Sequence, residues 1–205
     1  MNFRDFLIDR FGVNEPIRVE EIKYKDYSKP WLFKQLKMLV DSGELKRFES
    51  GIYYFPIKMF FGDSFLEPRK VVQKRFLSDG GEVFGYVSGL SLMNQAGLST
   101  QVPNLLELVT NNETTRVRDI NVGPQKVRLR RARTSITKEN VNTLQFLDLL
   151  SNISPNAMDE TERLMLSKYT KDSKVTKESI LVYAGYYPAK AMKNISESGI
   201  VYELT

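Results

Sequence analysis

Along the first 58 residues the apolar positions change period twice. Phe3, Phe6, Leu7 and Ile8 recur at helical spacing, and Gly12 ends the run. Pro16 pre-sets the first turn of a second short helix, with Val19 and Ile22 on its apolar side. In the third segment Ser28 stands at a capping position, Pro30 is tolerated in a first turn, and Leu32, Leu36, Leu39 and Val40 form one stripe. Asp41-Ser42-Gly43 stops that helix, Gly43 being suited to a left-handed terminal position. Beyond it, residues 44–48 and 52–56 are β-prone runs around Glu49-Ser50-Gly51, the pattern of a hairpin. Three short helices and a hairpin predict a winged helix-turn-helix over residues 1–58, whose third helix enters the major groove of DNA.

Residues 59–205 predict a larger α+β effector domain. A helix opens at Glu67-Pro68 and runs through Leu77, with Val71, Val72 and Phe76 apolar, until Asp79-Gly80-Gly81 breaks it. Residues 82–87 are β-like, and Ser88 caps a helix through about Ala96, closed by Gly97. Strands follow at 105–110, 116–122 and 125–133, with turns at Asn111-Asn112 and Gly123-Pro124. A two-residue loop at Gly123-Pro124 pairs Val122 with Gln125, Ile120 with Val127 and Arg118 with Leu129. That register gives Ile120, Val122, Val127 and Leu129 one buried face and sets Asp119 opposite Arg128. A helix over 137–153 carries Val141, Leu144, Leu147 and Leu150. After a break at Ser154-Pro155-Asn156 come helices at 159–169 and 176–185, the latter opening at Thr176 near a capping box. A last helix starts at Pro188, turns Ala191, Met192 and Ile195 to the core and ends at Ser198-Gly199, and 200–202 reads as a strand. The expected fold class is α+β: an N-terminal winged helix-turn-helix, then a mixed domain with an antiparallel sheet and packed helices.

Composition narrows the chemistry. Among 205 residues there is no cysteine and no histidine, which excludes disulfides, thiolate nucleophiles, Cys/His zinc sites and Ser-His-Asp catalysis. No Walker loop or G-x-G-x-x-G occurs, and carboxylates are not grouped at metal-ligand spacing, so no catalytic residue, cofactor or metal is expected. Arg4, Asp5, Asp9 and Arg10 interrupt the N-terminal apolar run, and no uncharged stretch approaches the ~20 residues that span a bilayer. The reading is a cytoplasmic protein without a membrane partner. Its net charge of +5 suits an acidic partner, nucleic acid first, although charge speaks to steering rather than to fold.

The charge is unevenly placed. Residues 1–58 hold eleven basic and nine acidic side chains, only a mild excess. On the third helix, however, Lys34, Lys37 and Met38 lie opposite the Leu stripe, with Trp31 and Gln35 on the flanks. Lys34 and Lys37 suit phosphates or guanine edges and Gln35 suits adenine, while Trp31 reads as a packing residue. Ser28 and Lys29 sit at the helix N-terminus, which favours phosphate, and Lys46, Arg47 and Ser50 on the wing would track the backbone. From 116 to 133 seven basic residues (Arg116, Arg118, Lys126, Arg128, Arg130, Arg131, Arg133) face one acidic residue, Asp119. They read either as a second nucleic-acid surface or as partners of carboxylates such as Glu107, Glu139 and Asp148.

Residues 86–103, from Tyr86-Val87-Ser88-Gly89-Leu90 through Met93-Asn94-Gln95-Ala96-Gly97-Leu98-Ser99-Thr100-Gln101-Val102-Pro103, resemble the antitoxin of the AbiE abortive-infection systems. So do Glu107-Leu108-Val109-Thr110-Asn111, Arg131-Ala132-Arg133, residues 140–148, Gly43-Glu44-Leu45 and residues 51–56; the likeness spans roughly 24–153. The resemblance implies a type IV toxin–antitoxin antitoxin acting in phage defence. Its winged helix would repress its own operon at inverted repeats, two protomers assembling on the DNA. Its C-terminal domain would counter a cognate nucleotidyltransferase-like toxin without a stable complex. Ser88, Asn94, Gln95, Thr100 and Gln101 match the family stretch without an assigned role; Ser88 as an N-cap and Gln101 bonding the turn before Pro103 are the structural readings. Two alternatives stay open: a winged-helix regulator whose second domain dimerises or senses a ligand, and a toxin-modifying enzyme.

Overall fold

The computed structural model describes residues 1–154 and 158–204. They divide into two compact units, one of Met1–Lys74 with Val122–Pro124, the other of Arg75–Asn121 with the chain from Gln125 onward. Together they make an α+β protein with several small sheets and one four-stranded mixed sheet.

In the first unit, helix α1 (Phe3–Phe11) is opened by Asn2, whose side chain accepts the Asp5 N–H at 2.8 Å, and closes at Gly12 with φ 85°. Strand β1 (Ile17–Arg18) and a single 3-10 turn (Val19–Glu21) follow. The second helix expected from Pro16 is therefore absent. Ile17 and Arg18 are held extended by pairing with Tyr53 and Ile52, and the Val19 N–H is spent on the Gly51 carbonyl at 3.0 Å, so only one turn remains. Helix α2 (Lys29–Asp41) forms where the stripe predicts it, and Gly43 takes φ 75° beyond its end. Strands β2 (Lys46–Glu49) and β3 (Ile52–Tyr54) pair antiparallel with a bulge between Arg47 and Glu49, and β1 joins to give the order β1-β3-β2.

The core of this unit is Phe3, Leu7, Ile17, Leu32, Leu36, Leu45 and Phe55, with Leu39 and Val40 half-buried at its edge. Trp31 is a packing residue: its ring stacks on Tyr27 at 4.0 Å and on Tyr24 at 5.8 Å, and meets Phe3 edge-on at 5.4 Å. A second hairpin, β4 (Lys58–Met59) and β5 (Gly62–Asp63), comes next. Helix α3 (Pro68–Val72) then widens into a π turn over Gln73–Leu77, so the predicted helix forms but is not α-helical throughout.

The second unit opens with a small hairpin, β6 (Ser78–Asp79) and β7 (Glu82–Val83), whose turn residues Gly80 and Gly81 have φ 56° and 88°. Two consecutive positive φ values are what a two-residue hairpin turn of matching twist requires. Strand β8 (Gly85–Ser88), helix α4 (Gly89–Gln95), strands β9 (Leu105–Thr110), β10 (Val117–Val122) and β11 (Gln125–Arg131) follow, with sheet order β10-β11-β9-β8. The sheet is mixed rather than antiparallel: β11 runs parallel to β9, Arg128 beside Glu107 and Arg130 beside Val109. The tight turn obliges β10 and β11 to be antiparallel neighbours, so once β11 takes the place beside β9 it must run parallel to it. Within the hairpin, the Arg131 N–H reaches the Arg116 carbonyl at 3.4 Å and Arg128 faces Asp119, the neighbours expected from the register above. Val122, Val127 and Leu129 are buried and Ile120 half-buried.

Helix α5 (Val141–Asn152) packs on β8 and brings Leu144, Phe146, Leu147 and Leu150 into the core. It starts later than predicted. The Asn140 side chain accepts the Thr137 N–H at 2.8 Å and donates to the Ser135 carbonyl at 2.9 Å, holding 137–140 as a turn. Helices α6 (Glu160–Asp172), α7 (Lys177–Tyr183) and α8 (Ala189–Ser198) complete the unit, α7 and α8 packing on α5. Thr176 and Ser179 form the anticipated capping box, and Gly199 closes α8 at φ 74°. Residues Ile200–Tyr202 form a 3-10 turn instead of a strand: they leave Gly199 directly, with Ile200 buried in the helical core. Of the break expected at Ser154-Pro155-Asn156, Pro155 and Asn156 lie outside the described residues.

Candidate nucleic-acid interface

Helix α2 divides cleanly. Leu32 and Leu36 are buried, whereas Lys29, Lys34 and Lys37 are exposed and Gln35 is half-buried; none of the last four has a side-chain partner among the described residues. Ser28 occupies the N-cap position with extended backbone but makes no capping bond, so its hydroxyl is also uncommitted. Phe33 and Met38 are about half exposed on this same outer side. The helical reading passed over Phe33, yet the signal was in the spacing: it stands four residues from both Lys29 and Lys37. Cations interleaved with apolar side chains on one helix face can contact phosphates, base edges and thymine methyl groups.

The β2–β3 ribbon is less available than its composition suggests. Lys46 is bound to Asp63 at 3.0 Å, and its ammonium also lies 5.9 Å from the Phe65 ring centroid. Lys58 reaches the same carboxylate at 2.9 Å, and these two hydrogen-bonded lysines hold the Asp63 carboxyl below its ordinary range. Arg47 is exposed and bonded to the Glu49 carbonyl at 3.3 Å, and Ser50 is exposed and unpartnered. Of the three ribbon residues, Lys46 is committed to a carboxylate, Arg47 only to a main-chain carbonyl, and Ser50 to no partner among the described residues.

The basic hairpin is largely consumed within its own unit. Arg128 forks onto Asp119 with bonds of 2.8 and 2.9 Å, which lowers the carboxyl's affinity for protons. Arg118 pairs at 2.8 Å with Glu113, a buried carboxylate. Burial opposes ionisation there, but bonds from the Thr115 N–H and hydroxyl and from Arg118 outweigh it and hold the Glu113 carboxyl below the usual glutamate value. Arg133 lies over the Tyr187 ring at 5.4 Å and reaches the Tyr186 carbonyl. Glu139 pairs with none of these residues; its carboxyl is held low by the Thr137 hydroxyl.

Arg130 is the most deeply committed. Its Nη2 donates to Asp148 Oδ2 at 3.0 Å and to the Ser88 hydroxyl, and Ser88 in turn donates to the same carboxylate oxygen. Ser88 and Asp148 are buried, and Arg130 Nε is enclosed without an acceptor. Ser88 therefore holds the N-cap position of α4 in the chain while its side chain caps nothing; it ties β8 to β11 and α5. Nearby, Gly89 holds φ 59°, a left-handed conformation that residues with a side chain rarely adopt, and a Cβ there would also displace the Glu107 carboxylate. Below this triad the Tyr187 hydroxyl donates to the Leu144 carbonyl at 2.9 Å, which leaves Tyr86 as donor in the 3.0 Å bond between the two hydroxyls. Burial raises both phenols well above their ordinary range. Gln145 donates to the Val87 carbonyl at 2.9 Å and accepts from Tyr169, whose hydroxyl burial pushes up to about 12.

Three cations of the hairpin keep no side-chain partner among the described residues: Arg116, Lys126 and Arg131. Strand alternation sends Lys126 to the face of Arg128 and Arg130, and Arg131 to the face of Val127 and Leu129. Arg131 lines an open concavity of about 460 Å³ with Asn111, Thr114, Thr134 and Ser135. Of the family-like stretch, Asn94 donates to the Ser99 carbonyl at 3.0 Å, whereas Gln95, Thr100 and Gln101 are exposed with no side-chain bond. Gln101 takes part in its turn only through its main-chain N–H, which donates to Ser99 Oγ at 3.2 Å. No group of metal-ligating side chains and no helix long and apolar enough to cross a membrane occurs among the described residues. Comparison with models of known families, with curated proteins and with solved structures gives no match.

Proposed function

We propose that the chain is a DNA-binding regulator in which residues 1–58 act as a winged helix, α2 lying in the major groove and the β2–β3 ribbon alongside. The observation that carries this reading is the outer face of α2: Lys34 and Lys37 stand exposed and unpaired opposite buried Leu32 and Leu36, with Lys29 exposed and unpaired at the helix N-terminus. Unpaired lysines at fixed spacing release counterions on meeting phosphates, which gives affinity that falls steeply with salt. Phe33, Met38 and Gln35 supply the base-edge contacts, and Arg47 and Ser50 the ribbon's backbone contacts. The 3-10 turn at Val19–Glu21 takes the place of the middle helix, so α2 is oriented by the β1–β3 pairing and the aromatic packing around Trp31.

The antitoxin role rests on the AbiE resemblance and assigns the second unit to countering a nucleotidyltransferase-like toxin. A mobility-shift titration with DNA from upstream of the gene tests the first part. The shift should be lost in K34A/K37A and weakened by salt, and an unchanged shift in that variant overturns the reading. Co-expression with a nucleotidyltransferase-like toxin encoded beside this gene tests the second part. Rescue of growth should survive K34A/K37A, and failure of the wild-type chain to rescue refutes the antitoxin role.

A further inference from the structure

We infer that the first unit associates with a second copy of this chain, the aromatic tip of its β4–β5 hairpin seating in an apolar groove of the other copy. The tip is Phe60-Phe61, 94% and 97% exposed, touching each other edge to face at 5.0 Å. Phe65 is 84% exposed, and Ile57 and Met59 extend the same apolar surface along the hairpin. Aromatic side chains carry ~150–250 Å² each, so these three rings alone present on the order of 500 Å². That is as much as the largest apolar patch of a typical monomer, and patches of that size are often interaction sites. With Ile57 and Met59 it approaches the ~800 Å² per partner of a stable interface.

The same unit offers the complement. An open groove of about 740 Å³ is walled by Val40, Leu45, Phe48, Tyr54, Phe65 and Leu66. Pockets of ~300–1,000 Å³ bury groups of this size. Its own tip does not fill it, because Phe60 and Phe61 remain almost fully exposed. Phe65 belongs to both surfaces, so knob and groove adjoin on one face, the arrangement a two-fold contact needs: each copy gives a tip and receives one. Lys46 and Lys58, the cations beside the hairpin, are both engaged by Asp63 at 3.0 and 2.9 Å, so the tip itself offers a ligand rings rather than free ammonium groups. The inference does not depend on duplex binding.

Sedimentation equilibrium of the full chain without DNA tests it. The wild type should approach twice the chain mass as concentration rises, and F60S/F61S should stay at the chain mass up to about 0.1 mM, at least a tenfold weakening. Both rings are exposed, so the variant's circular dichroism and melting should match the wild type. Because the chain lacks cysteine, F61C mixed with V40C and a short bismaleimide should yield more cross-linked pair than either variant alone. A monomeric wild type, a dimer that survives F60S/F61S, or cross-linking dominated by F61C with itself overturns the proposal. So does a monomeric wild type whose DNA affinity falls in F60S/F61S, which would make the tip a wedge for the duplex.

Discussion

Two cationic regions invite comparison: the outer face of α2 and the β10–β11 hairpin. By composition the hairpin is the stronger candidate, with seven basic residues against one acidic. In the fold the order reverses. Three of its arginines are bound to Glu113, Asp119 and Asp148, and Arg133 rests on Tyr187, while the α2 lysines have no partner among the described residues. A guanidinium's planar fork matches a carboxylate and loses little by being fixed, whereas a lysine on an exposed helix gains little from pairing and stays in water. Local charge density therefore predicts internal ion pairs as readily as it predicts a ligand.

The largest effect should come from the deepest of those pairs. Asp148→Ala strands the Arg130 guanidinium and the Ser88 hydroxyl and should cost about 3–5 kcal/mol, read by urea unfolding. A loss below about 1 kcal/mol would show that the triad is dispensable and Arg130 not spent on it. Next, Leu36→Ala should cost about 2–5 kcal/mol by opening a cavity under α2. By contrast, K29A/K34A/K37A should leave stability within about 0.5 kcal/mol. The same triple variant should flatten the salt dependence of DNA binding by about one log unit per lysine that meets a phosphate. R116A/R131A should change DNA affinity by less than about twofold; equal losses in the two variants would erase the contrast.

The smallest effect is one of pH. The Glu113 carboxyl is held below its ordinary value near 4.5, so its contribution to stability is complete above that value and is lost as the pH falls through the lowered one. Melting temperatures of Glu113→Gln and wild type should accordingly converge in acid. A gap that persists there would mean that packing of the buried side chain, not its charge, matters.

Much of the architecture was legible in the residues. The Leu stripe with its Ser28 start and Gly43 stop marked α2, and Asp119 opposite Arg128 marked the hairpin register. Missed were the features that depend on distant partners. Pro16 signals a helix start locally, but Tyr53, far along the chain, holds Ile17 extended. Ser88 signals a cap, but Asp148 and Arg130 claim its hydroxyl. Residues 200–202 look β-prone, yet Ile200 is drawn into the core formed with α5, α7 and α8.

What the chain alone determined is periodicity and chemistry: where helices and strands fall, which faces are apolar, and that Cys/His catalysis is excluded. Tertiary structure alone decided which cations are spent. Pairing of Arg130 with Asp148, Lys46 with Asp63 and β11 with β9 joins residues far apart in sequence. A charge is free or neutralised according to what lies within about 4 Å of it. Local pattern carries no record of that distance.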